Sequence, residues 1–107
     1  MELRFYETGA GNSPVEKYLE ALPAAERALL LDVFEEIRLH GFAGTGVATR
    51  QIDGKLWEIK VSRHRVFYVV LAGPLVMLLH AFKKQGQRAP RKELEVARSR
   101  MKEVLNG

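Results

Sequence analysis

The sequence predicts an α+β domain, an antiparallel or mixed sheet with an N-terminal helical hairpin on one side and a C-terminal helix, in the order β-α-α-β-β-β-α. Three observations predict it. Lys55 to Lys84 reads as three consecutive strands joined by two tight turns, Ser13 to His40 carries two helical periodicities divided by Pro23, and Pro90 opens a third. With 107 residues and 47% apolar content the chain can build one core but not two, so residues 1–107 are expected to form a single domain.

Taken in order, Glu2 to Glu7 is a short strand with Leu3 and Phe5 on one face. After a turn with two glycines, Ser13-Pro14-Val15-Glu16 has the chemistry of a helix start: Ser at the N-cap, Pro at the first helical position and Glu at the third. Val15, Tyr18, Leu19 and Leu22 give that helix an apolar stripe, and it stops at Pro23. Pro23 opens a second helix that runs to about His40 and closes at Gly41, with Leu30, Val33, Phe34 and Ile37 on its inner face. Gly41 to Thr49 is a glycine-rich loop, without the Gly-Lys-Ser/Thr ending of a phosphate-binding loop. After the sheet, Gln85 to Ala89 is a polar turn. The last helix presents Leu94, Ala97, Met101 and Val104 or Leu105 as a narrow apolar seam.

Alternation places Trp57, Ile59 and Val61 on one face of the first long strand and Leu56, Glu58 and Lys60 on the other. Arg65 to Leu71 is apolar on both faces, as a central strand is. Two-residue loops at Arg63-His64 and Gly73-Pro74 would set Lys60 opposite Phe67, Phe67 opposite His80 and Arg65 opposite Phe82. Glu58, Lys60, Arg65, Phe67, His80, Phe82 and Lys84 then share a site face, and Trp57, Ile59, Val61, Val66, Tyr68, Val70 and Met77 a core face. A slip of one residue at either turn would reverse a strand.

Charge is unevenly divided. Residues 1–49 hold four Lys/Arg against eight acids, net −4, and residues 50–107 hold thirteen against five, net +8. A polyanion, most simply nucleic acid, suits the C-terminal half; the alternative is a solvated lysine-rich surface. The absence of cysteine excludes disulfides and thiolate zinc sites and fits a reducing cytoplasm. The three scattered histidines do not suggest a metal site, and no signal peptide, membrane span or cofactor motif is visible.

Along nearly its whole length the chain resembles the RelE/HigB-type toxins of bacterial type II toxin–antitoxin systems, in particular the phage-derived HigB-like branch. The matching segments are RFYET, SPVEKYLEALP, KLWEIKV followed by RVFYVV, LLHAFKKQGQRAP, and KELEVARSRMKEVL. The resemblance implies a microbial-RNase type of fold and a metal-independent endoribonuclease that cuts mRNA on the ribosome, in the A site where the codon is decoded. It also implies a cognate antitoxin of helix-turn-helix type, through which alone the toxin would meet operator DNA.

Such cleavage directs the ribose 2′-oxygen at the adjacent phosphate, and it needs an acceptor for the 2′ proton, cations for the phosphorane charge and an acid for the leaving 5′-oxygen. By motif, Arg65 matches the family's phosphate-clamping arginine, Lys60 a basic strand residue for acid/base or charge-stabilising work, and Lys84 a place where relatives often have arginine. His80, or else His64, is the titratable candidate, the alternatives being a semi-buried strand histidine and a solvated turn histidine. Arg63, His64, Lys83 and Phe67 are expected to contact RNA, although alternation turns Lys83 away. The chain departs from RelE at Glu58, where RelE has lysine, at Arg63-His64 in place of a glycine, and in lacking a tyrosine match after Lys84. Two other readings stand beside the nuclease: a ParE-like toxin acting on DNA gyrase without enzymatic chemistry, and a domesticated protein that binds only an antitoxin.

Overall fold

The computed structural model describes residues 1–43, 46–86 and 90–107 of the chain. Its elements are β1 (Glu2–Phe5), α1 (Pro14–Glu20), α2 (Ala24–His40), β2 (Ala48–Asp53), β3 (Leu56–Val61), β4 (His64–Leu71), β5 (Leu75–Lys83) and α3 (Arg91–Asn106). The five strands form one mixed sheet in the order β1-β5-β4-β3-β2, with β1 parallel to β5 and every other pair antiparallel. The short edge strand β2 falls partly inside the segment expected to be loop. Its sequence, ATRQID, gives no apolar alternation, because an edge strand half in solvent needs none.

The helix boundaries follow the local chemistry, with one exception. Gly41 closes α2 at φ 71°, its N–H donating to the Ile37 carbonyl at 2.8 Å. Pro23 occupies the N-cap of α2. Ser13 occupies the N-cap of α1, but its hydroxyl caps no N–H and is buried without a partner among the described residues. Arg27 ties the two helices together from the side, donating to the carbonyls of Leu19 and Leu22 at 3.1 and 2.9 Å.

Both turns differ from the expected register. The β3–β4 loop is Ser62-Arg63, so Val61 pairs with His64 and Lys60 lies opposite Arg65 rather than Phe67. Ser62 takes φ 56°, the positive angle that a two-residue hairpin loop demands at its first position. A displacement of two residues preserves side-chain parity, which is why the face assignment on β3 survives. The β4–β5 loop has three residues, Ala72-Gly73-Pro74, with Leu71 opposite Leu75. That shift alone would invert β5, but an extra residue, Leu79, is bulged opposite the Phe67/Tyr68 step and restores Phe67 opposite His80 and Arg65 opposite Phe82. Between turn and bulge the parity stays inverted. Met77 therefore packs on the face of Phe67, not on the face of Tyr68 where alternation puts it.

Two cores result, one on each face of the sheet. On the helical-hairpin side Val15, Leu19, Leu30, Phe34 and Ile37 pack on Ile59, Val61, Val66, Tyr68, Val76 and Leu78. On the other side α3 lays Ala97, Leu94, Met101 and Val104 over Leu56, Phe67, Val69, Leu79 and Phe82, while Leu105 stays 39% exposed. Among the described residues no helix is long and apolar enough to cross a membrane, and no three His, Cys, Asp or Glu side chains are grouped to hold a metal ion.

Candidate nucleic-acid interface

The α3 face is not covered to its end. Helix α3 docks over the middle of the sheet, and beyond its N-terminus the strand ends around the β3–β4 turn leave two adjoining concavities. One, of about 330 Å³, is lined by Arg50, Gln51, Glu58, Arg65, Phe67, Phe82, Lys84, Pro90 and Leu94 among others. The second, of about 420 Å³, is lined by Arg63, Arg65, Lys84 and Gly86. Arg65 and Lys84 line both.

Arg65 is held before any ligand arrives. One Nη donates to the carbonyls of Ser62 at 2.8 Å and His64 at 3.0 Å, and its side chain is only 13% exposed. The turn that brings these carbonyls together is the one with Ser62 in the left-handed region. The Lys84 N–H donates to the Arg63 carbonyl at 2.8 Å, extending the ladder past β5 and fixing Lys84 beside the same turn. Lys60 projects from the same face as Arg65, its direct partner in the register, and is exposed. Two cations opposite one another on a pair of strands repel, an arrangement that stability alone does not favour and that an anion relieves.

The floor is acidic and aromatic. Glu58 is 3% exposed, and its Oε1 lies 3.5 Å from an Arg50 Nη and 3.9 Å from the Arg65 Nε without a hydrogen bond to any described residue. Phe67 and Phe82 stand behind it with ring centroids 5.4 Å apart. Arg50, opposite Glu58 on β2, carries no motif in the sequence; only the pairing of the edge strand brings it to the site.

Several of the expected site residues stand elsewhere. Phe67 is fully buried under α3, so it is a wall of the cavity and not a stacking surface for a base. His64 is neither a solvated turn residue nor an RNA contact: it is 1% exposed on the hairpin side, its Nδ1 2.6 Å from the Tyr18 hydroxyl and its Nε2 2.8 Å from Glu26 Oε1. Burial and the Glu26 carboxylate push the Tyr18 phenol up to about 12, so Tyr18 keeps its proton, and the His64 ring is held between this hydroxyl at Nδ1 and the Glu26 carboxylate at Nε2. Lys83 faces the same side, 3.7 Å from Glu26. His80 shares the site face but lies under α3, where its Nε2 meets Glu93 at 3.0 Å and its Nδ1 meets Arg100 at 3.1 Å, and it lines neither concavity. Residues 87–89, the last three of the polar turn expected over Gln85 to Ala89, lie outside the described residues.

The sequence and the fold each have a known counterpart. A family model described as Phage derived protein Gp49-like matches residues 17–102. A chain of the archaeal RelE-RelB complex from Pyrococcus horikoshii OT3 superposes with a TM-score of 0.60 at 19% sequence identity, covering 82% of this chain and 100% of that one, a likeness of fold. No curated protein matches the sequence.

Proposed function

Since the chain belongs to the phage-derived Gp49-like family, a RelE-like toxin family, we propose that it is the toxin of a type II toxin–antitoxin pair and acts as a ribosome-dependent mRNA endonuclease in the cytoplasm. The observation that carries the nuclease reading is the convergence of Arg65, Lys84, Arg63 and Arg50 on one pair of concavities, with Lys60 exposed beside them as the cross-strand partner of Arg65 and with Arg65 immobilised by two backbone carbonyls. A guanidinium held in place can meet a phosphate oxygen without first being ordered, and the electrostatic stabilisation of a developing phosphorane depends on such preorganisation.

In this reading Arg65 clamps the scissile phosphate, Lys84 and Lys60 stabilise its added charge, and Arg63 and Arg50 hold the flanking backbone. His80 is removed from the acid/base role, because both its ring nitrogens are engaged by α3. The two concavities, of about 330 and 420 Å³, are small beside an mRNA strand, so the ribosome is left to align it. The partner is a cognate antitoxin, of helix-turn-helix type, carrying the pair to its operator.

Induced expression of the wild type and Arg65→Ala in a bacterial host, with mRNA 5′ ends mapped within minutes, tests the proposal. Codon-positioned cuts that fall by about 10²–10³ in rate in the variant support it. Growth arrest without new 5′ ends, unchanged by the substitution, would transfer the assignment to a gyrase-directed toxin, and no arrest at all to a protein that only binds its antitoxin.

A further inference from the structure

Attack by a 2′-oxygen requires a group with a free lone pair to take its proton, and none of the cations at the site has one at neutral pH. The histidines do not supply it: His64 and His80 have both ring nitrogens engaged, and His40 stands at the far end of α2. The carboxylate that lines the cavity is Glu58. Its Oε1 is buried, accepts no hydrogen bond from any described residue, and lies on the same wall as Arg65 and Lys84. A buried carboxylate with an idle oxygen is costly unless cations stand near it, and here two guanidinium groups stand within 4 Å without bonding to that oxygen.

We propose that Glu58 is the general base of the cleavage, an inference that rests on the nuclease reading above. Arg50, with its side chain 59% exposed, covers the carboxylate from the strand edge and turns out onto a phosphate when RNA enters, opening Oε1 to the ribose. The 2′-hydroxyl proton passes to Glu58 Oε1 as the 2′-oxygen bonds to phosphorus. The bond from phosphorus to the 5′-oxygen breaks, and that oxygen takes a proton from the Lys84 ammonium, leaving a 2′,3′-cyclic phosphate and a 5′-hydroxyl. Solvent then removes the proton from Glu58 and returns one to Lys84.

The test is single-turnover cleavage by the full chain on ribosomes programmed with mRNA, for the wild type, Glu58→Gln and Glu58→Asp, across pH 4–8. Glutamine keeps the shape and cannot accept the proton. The expected result is a rate lower by about 10²–10⁴-fold in Glu58→Gln with mRNA still bound, an intermediate rate in Glu58→Asp, and a rising acid limb in the wild-type profile that Glu58→Gln lacks. A Glu58→Gln enzyme that cuts within a few-fold of wild type, or that is slowed but keeps the acid limb, overturns the assignment and leaves the nuclease reading standing. Should Glu58→Gln fail to fold, the wild-type profile decides alone, since a rate flat through the carboxylate range overturns it. A wild type that cuts nothing overturns both.

Discussion

Arg65 and His64 are neighbours in the chain with opposite fates, and the difference comes from the pleat. Arg65 points to the cavity, while His64 points into the interface between β4 and the hairpin, where Tyr18 and Glu26 close on its two nitrogens. Through its carbonyl His64 also holds the Arg65 guanidinium, so the interior network and the site are mechanically joined. Replacing His64 by alanine leaves the Tyr18 hydroxyl and Glu26 without their buried partner and should cost about 1–3 kcal/mol. Urea unfolding will read this, together with a melting temperature lower by roughly 4–8 °C for each kcal/mol. The face of Arg65 could be read from the sequence, because strand alternation sets it. The histidine could not, because alternation reports a face and says nothing of which helix covers it.

At the scale of elements, the bulge at Leu79 decides more than any strand propensity. It leaves one carbonyl out of the ladder, and Arg100 of α3 takes it at 2.9 Å while also meeting His80 Nδ1. The same guanidinium stands 5.4 Å over the Tyr6 ring, whose hydroxyl donates to Glu103 at 2.7 Å. Helix α3 is therefore pinned by polar contacts at the place where the register is corrected. Its apolar seam is readable as a period, but Arg100 looks like one more basic residue on a solvated helix. Arg100→Ala should destabilise the fold by about 1–3 kcal/mol, more than loss of the exposed Lys102, in parallel denaturation curves. Equal midpoints for the two variants would show that the bulge carbonyl does not depend on α3.

For the whole molecule, three buried or half-buried phenols give the alkaline limit of the fold. Burial raises Tyr18 and Tyr68 to about 12, and the bond to Glu103 together with burial raises Tyr6. The unfolded chain releases these protons near pH 10 and the folded one only higher. Their contribution is thus complete below about pH 10 and is lost as pH rises towards 12. Urea midpoints should fall across this window, and Tyr68→Phe should make the fall shallower; a midpoint that stays level from pH 9 to 11.5 would contradict it. By itself the sequence determined the α+β order, the helix ends, the two faces of β3 and β4 and the division of charge, because each is written in local chemistry or in a period of 2 or 3.6 residues. Tertiary structure alone decided that Arg50 lines the cavity, that Phe67 is a buried wall of it, that His64 lies on the opposite face, that Met77 changes face and that Glu58 lies buried among arginines. Those outcomes depend on which strands pair, where one residue bulges and how far a helix reaches, and no periodicity along the chain encodes such distances.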